Sequence, residues 1–264
     1  MSERSREPRS ASPRDRFITV YGRMPVIEVL DDPSLEVDKV IVAEGARGPN
    51  LERIRQLARD RGIAVNAATA QRVKLLAGNG RHDQGVIADV VAPRMGALAD
   101  VLEHRPPERV LALDGVSNPS NVGMIIRSAV AAGLDGVVLP RVGSPSVDPM
   151  VIKASAGVAF RAPILNCRTS VEGLEAFRGM GYRIYGLAGG AARPIFGEVF
   201  PRRTVFVLGN ETDGISAGAG SLVDEWVSIP MSGGVDSLNV SSAAAVVCFE
   251  LVRQGLSAPR GTAR

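Results

Sequence analysis

Hydrophobic and polar positions alternate differently in the two halves of the chain. Near the N-terminus, "VDKVIVAEG" (37–45) reads as a strand. "NLERIRQLARDRG" (50–62) has helical spacing, with Leu51, Ile54, Leu57 and Ala58 on one face. "IAVNAA" (63–68) and "GVIADVV" (85–91) are further strands around a short helix, "AQRVKLLAG" (70–78). These segments make a small α/β unit, and the proline-stiffened "HRPPE" (104–108) marks its boundary. Beyond it the rhythm changes. "RVLALDGV" (109–116), "DGVVLP" (135–140), "RIYGLA" (183–188) and "TVFVLGN" (204–210) are short apolar strands ending in Gly, Pro or Asn. Helical stretches lie between several of them, a pattern that predicts a parallel sheet covered on both faces. Ligands of such sheets sit at the carboxyl ends of the strands. The last segment, "SIPMSGGVDSLNVSSAAAVVCFELV" (228–252), predicts a strand ending in proline, a polar loop, and a long apolar helix entered through Ser237-Leu238-Asn239. Those polar residues either cap the helix or hold something.

Composition narrows the classes. No stretch approaches the roughly 20 apolar residues of a membrane span, and the N-terminus lacks a signal-peptide core. Two cysteines, Cys167 and Cys248, sit in apolar contexts without metal-type spacing, which predicts buried thiols in a reduced, cytoplasmic protein. Two isolated histidines, His82 and His104, do not make a metal site, so no metal is expected. Residues 1–16 form a Ser/Pro/Arg-rich segment predicted to be a disordered basic tail. The net charge of +3 is spread thinly, and residues 17–105 hold twelve bases against twelve acids. Any nucleic-acid surface must therefore be local. The helix bearing Arg53, Arg55, Arg59 and Arg61, with Arg47 before it, either binds phosphate or is a solvated face balanced by Glu52 and Asp60.

Three segments follow predicted strands. In the first, Asn118-Pro119 starts a helix that buries Val122, Ile125, Ile126, Ala129 and Val130. Gly123 and Arg127 share a different face, so the arginine is expected over the glycine, where the missing side chain leaves room for a ligand. The second, "NETDGIS", places Glu211 just past the sheet edge, and the third is the helix entrance at 237–239. No glycine-rich dinucleotide turn, phosphate-loop lysine motif or nucleophile elbow is present.

Taken in order, Asn121-x-Gly123-x-x-x-Arg127, Leu208-Gly209-Asn210-Glu211-x-x-Gly214, and Ile229-Pro230-Met231 followed by Ser237-Leu238-Asn239-Val240-Ser241 resemble motifs one, two and three of the SpoU (TrmH) family. Members of that family are S-adenosylmethionine-dependent RNA 2′-O-ribose methyltransferases of the SPOUT superfamily. "VIKASAGVAFRAPI" is similar to the family's segment between motifs one and two. Residues 17–92 resemble the ribosomal-protein-like substrate domain of rRNA-modifying members, with "YGRMPVIEVL" as its opening helix. Thr212 and Asp213 stand where the family often has small residues.

The resemblance implies a small N-terminal RNA-binding domain (17–92), a linker (93–105), and an α/β SPOUT methyltransferase domain (106–258) with a parallel sheet and a C-terminal trefoil knot. It implies S-adenosylmethionine as cofactor and a homodimer whose second subunit completes the site. Main-chain groups around Leu208, Gly209, Asn210, Ile229, Pro230, Met231 and Leu238 would hold the cofactor. Arg127 would be the catalytic arginine, with Asn121, Glu211, Ser237 and Asn239 orienting it, the phosphate or the cofactor. Whether Arg127 helps deprotonate the hydroxyl or clamps the adjacent phosphate stays open, although a guanidinium rarely gives up its proton. The helix packed beneath the cofactor is expected to contribute Val246, Val247, Phe249 and Leu251 to the core and dimer interface. Large-subunit (23S-type) rRNA is the expected substrate. The alternatives are tRNA, base methylation, and a non-catalytic RNA-binding or ribosome-assembly factor of the same fold.

Overall fold

The computed structural model describes residues 16–78, 83–234 and 236–257. Most of the expected tail and His82 lie outside them. The first unit runs β1 (Phe17–Tyr21), α1 (Arg23–Asp31), β2 (Val37–Ala43), α2 (Pro49–Asp60), β3 (Ala64–Ala68), α3 (Ala70–Ala77) and β4 (Val86–Val91). Its sheet has the order β1-β4-β2-β3, with β4 antiparallel to both β1 and β2 and β3 parallel to β2. Leu51 and Ile54 of α2 and Val26, Ile27 and Leu30 of α1 pack on Val20, Val40 and Ala88. Val73 of α3 packs with Tyr21, Ala43 and Ile87. The pattern of α2 holds, with Leu57 only half-buried. The opening helix begins later than expected, because Tyr21 belongs to β1 and Gly22 turns the chain at φ 92°.

The arginines of α2, and Arg61 at its C-cap, are engaged. Arg53 pairs with Asp31 at 3.2 Å and Arg55 with Glu52 at 2.7 Å, while Arg59 donates to Gln56 at 2.7 Å. Arg61 donates to the carbonyls of Val29, Leu30, Asp32 and Leu35, satisfying the chain at the end of α1. The solvated-face reading fits three of these residues, and Arg61 is part of the fold.

The second unit continues with β5 (Gly96–Ala97), α4 (Leu98–His104), β6 (Arg109–Leu113), α5 (Pro119–Ala131), β7 (Gly136–Pro140), α6 (Pro149–Ala154), β8 (Ile164–Cys167) and α7 (Ser170–Gly179). Then come β9 (Arg183–Leu187), β10 (Arg193–Pro194), β11 (Thr204–Leu208), α8 (Ala217–Gly220), β12 (Glu225–Ser228) and α9 (Val240–Ser257). The sheet order is β10-β12-β9-β11-β6-β7-β8-β5, and every pairing is parallel. Its central strands β6, β7 and β11 are largely apolar and buried because both faces are covered. Leu111, Leu113, Phe206 and Leu208 meet α5 and α9, and Val110, Ala112, Val205 and Val207 meet α4 and α7.

Several expectations need correction. The stretch 93–105, expected as a linker, contains packed structure: β5 pairs with β8, and Leu98 and Leu102 of α4 are buried against Val110 and Val138. Strand β8 was not anticipated, since its four residues include Asn166 and Cys167 and carry little apolar signal. Helix α9 starts at Val240, so Ser237, Leu238 and Asn239 precede it. Val247 and Leu251 are core and Val246 is half-buried, but Phe249 is 52 % exposed.

Both cysteines are free thiols. Burial pushes Cys248 up to about 12 and the half-buried Cys167 up to about 11, so neither carries thiolate character near neutral pH. Among the described residues no group of His, Cys, Asp and Glu is placed to hold a metal ion, and no helix is long and apolar enough to cross a membrane.

Candidate active site

Because the strands of the large sheet are parallel, the turns after β6, β9, β11 and β12 emerge at one edge. A cleft of about 390 Å³ opens there, within the roughly 300–1,000 Å³ range of small-molecule sites. Leu208, Gly209, Asn210, Ile229, Met231 and Leu238 line it, as do Glu211 and Ser237. Pro230 is exposed and does not form its wall. Sequence reasoning passed over three contributors, namely the Leu187–Gly189 turn, Trp226 and Asp236. The signal for the first was positional, since "LAGG" ends a parallel strand even though it lacks the spacing of a dinucleotide turn.

The turn after β11 is stiff. Asn210 and Gly214 exchange both main-chain hydrogen bonds at 2.9 Å, with Gly214 at φ 69°. The Asn210 side chain accepts from the N–H groups of Thr212 and Asp213 and donates to the Gly115 carbonyl at 2.9 Å. This is the local Asn-turn chemistry that competes with regular structure. The unusual Thr212 and Asp213 thus contribute main-chain N–H groups to Asn210, while their side chains are exposed.

The three motif segments meet through side chains. Asn239 donates from Nδ2 to Oδ1 of buried Asn121 at 3.2 Å, and Asn121 donates from Nδ2 to Oε1 of Glu211. One hydrogen-bond chain therefore links the loop before α9, helix α5 and the turn after β11. The opposite face of the Asn239 amide accepts from the Ser241 N–H at 2.9 Å and Ser241 Oγ at 2.5 Å. Asn239 thus both caps α9 and orients Asn121. Ser237, exposed at the cleft, has no hydrogen-bond partner among the described residues.

Arg127 projects from α5 into solvent and has no hydrogen bond or ion pair among the described residues. It does not line the cleft. Gly123 corrects the expected ligand slot. A Cβ there would lie 2.5 Å from the Ala154 Cβ and 2.6 Å from the Val151 carbonyl, so the missing side chain admits α6.

Residues 108–249 match the SpoU rRNA Methylase family, and residues 19–96 match the RNA 2'-O ribose methyltransferase substrate binding domain. The chain belongs to the SpoU rRNA methylase family. It is 36% identical over 245 residues to the 23S rRNA (guanosine-2'-O-)-methyltransferase RlmB of Xanthomonas campestris, covering 90% of this chain and 97% of the relative. The RlmB of Pseudomonas putida is 32% identical, over 89% of this chain and 96% of its own. Among solved structures, the SpoU methyltransferase AviRb of Streptomyces viridochromogenes, in complex with the cofactor AdoMet, superposes with a TM-score of 0.61 at 28% identity, covering 91% of both chains.

Proposed function

We propose that this chain transfers a methyl group from S-adenosylmethionine to a ribose 2′-hydroxyl of RNA, with 23S-type rRNA as substrate. The observation that carries the reading is the Asn239–Asn121–Glu211 chain, which reaches the cleft through Glu211 and shares helix α5 with the unpaired Arg127. The cleft fits the cofactor's chemistry. Leu187, Leu208, Ile229 and Leu238 offer apolar contact to an adenosine, and Glu211 and Asp236 offer carboxylates to a cationic ligand. The main-chain N–H groups of Met231 and Leu238 have no partner among the described residues, which leaves donors for a bound molecule. Tightly approaching backbone completes the walls, since a Cβ at Gly189 would lie 2.9 Å from the Asp236 carbonyl. We assign the family's knot to the segments 208–215, 229–234 and 236–239.

When bound, the cofactor supplies an electrophilic methyl group, so the protein's task is positioning. In this reading Leu208, Gly209, Asn210, Ile229, Met231 and Leu238 hold it. Arg127 forks onto the phosphate beside the target ribose and stabilises developing negative charge on the 2′-oxygen. Glu211, Asn121 and Asn239 set the geometry between the two, with Ser237 facing the cofactor. Residues 17–92 recognise the RNA, and 106–258 carry the chemistry with β5 and α4 packed onto them. A homodimer is supported by apolar surface on α5 and α9, where Met124 is 40 % and Phe249 52 % exposed. The names of the RlmB relatives favour 23S rRNA over tRNA.

Trp226, the chain's single tryptophan, lines the cleft and is 40 % exposed. Adding S-adenosylmethionine without RNA should therefore change the intrinsic tryptophan fluorescence and release or absorb heat in calorimetry. A folded protein showing neither response would sink the methyltransferase reading.

A further inference from the structure

We propose that Asp114 is a positioning residue that sets cofactor affinity by clamping the turn 208–216; the proposal rests on reading the cleft as the cofactor site. Asp114 follows β6 and is 6 % exposed. Its main-chain N–H donates to the Leu208 carbonyl at 2.9 Å, at the start of the turn. Its Oδ2 accepts from the Ser216 N–H at 2.6 Å, at the end of the turn, where Ser216 caps α8 by accepting from Ala219. The next residue, Gly115, accepts from Asn210 Nδ2 at 2.9 Å, in the middle. Gly115 reaches that position at φ 71°. Two consecutive residues thus fasten the cofactor-side turn at three points.

The carboxylate is itself held. Its Oδ1 accepts from the Ser170 hydroxyl at 2.5 Å, at the start of α7. No cation pairs with it among the described residues. A buried carboxylate is costly unless its oxygens are hydrogen-bonded, and donors to a charged acceptor make the stronger bonds. Here one oxygen is used by α7 and the other by the turn. The turn needs such a fastening because its inner surface is main chain. A Cβ at Gly209 would lie 2.2 Å from the Gly214 carbonyl carbon and 2.3 Å from the Ile215 nitrogen, and Gly209, Gly214 and Ile215 all line the cleft.

Asp114 does not line the cleft and holds the turn behind it, so its loss should appear in binding and not in turnover. Asp114→Ala should raise the Kd for S-adenosylmethionine about 10-fold or more, the consequence of losing one charge-assisted hydrogen bond. The kcat at saturating cofactor should stay within about two-fold of wild type, and Asp114→Asn, which keeps a neutral acceptor for Ser216, should raise the Kd less than Asp114→Ala. Calorimetry with the cofactor and kinetics at varied cofactor concentration read the split. If Asp114→Ala does not fold, Ser170→Ala is read instead. Freed of its orienting donor, the carboxylate should let the Kd rise about three-fold or more with kcat kept. A wild-type Kd in folded Asp114→Ala, or in Ser170→Ala when that is the variant read, would overturn the proposal, as would a fall in kcat at unchanged Kd. Failure of the wild-type protein to bind the cofactor would instead remove the functional reading beneath it.

Discussion

Arg127→Ala should lower methyl transfer by a factor on the order of 10² or more, as for loss of one preorganised charge-stabilising group. Fold and cofactor affinity should survive, because the guanidinium is exposed, unpaired among the described residues and absent from the cleft wall. Its α5 neighbours Ile125, Ile126 and Ala129 keep the helix in the core without it. Arg127→Lys should recover little, since a point-like ammonium cannot reproduce a planar two-pronged contact with phosphate. Single-turnover transfer measured beside calorimetric cofactor binding checks this. A parallel loss of cofactor affinity would move Arg127 out of the RNA side of the site.

Gly209→Ala should weaken cofactor binding strongly by a different route. A Cβ at 209 would lie 2.2 Å from the Gly214 carbonyl carbon and 2.3 Å from the Ile215 nitrogen. Both contacts are backbone, so no rotamer change relieves them, and the turn must open. Overpacking of this kind costs roughly 1–3 kcal/mol, which corresponds to about a 10- to 100-fold rise in Kd if it falls on the bound state. Gly214→Ala should be milder. A Cβ there meets nothing within 4 Å, and the cost is only that of holding alanine at φ 69°, about 1–2 kcal/mol. Equal effects at the two glycines would mean that backbone crowding does not shape the cleft.

Much of this architecture is legible in the sequence because parallel, doubly covered strands must be apolar without alternation. "RVLALDGV", "DGVVLP", "RIYGLA" and "TVFVLGN" all became neighbours in the large sheet or strands next to neighbours. The elements that escaped are those whose state is set by partners and not by local pattern. Strand β5 has two residues and exists through its pairing with β8, and the four-residue β8 itself ends in the polar Asn166 and Cys167. β3 is recognisable although its residues are mostly exposed, since an edge strand of small side chains needs little cover.

The site shows the same division. The motifs placed Asn121, Glu211 and Asn239, but only the fold shows the amides passing hydrogen bonds from one segment to the next. Gly123 was misread because a helix face seen alone does not reveal that α6 will cross it. Leu187–Gly189 and Trp226 carry no motif and enter the cleft through sheet order, β9 and β12 lying side by side. A knot is beyond any periodicity argument, since it concerns the path of the chain and not the residues along it.

The central claim is that the acceptor is a ribose hydroxyl of RNA. The direct measurement incubates the purified protein with S-adenosylmethionine labelled in its methyl group and 23S rRNA from cells lacking the gene. The RNA is then digested to nucleosides and the labelled species identified. The account predicts label in a single 2′-O-methylated ribonucleoside, and none when that position of the RNA carries a 2′-deoxyribose. Label in a base-methylated nucleoside, or transfer that persists on the deoxy substrate, would contradict it.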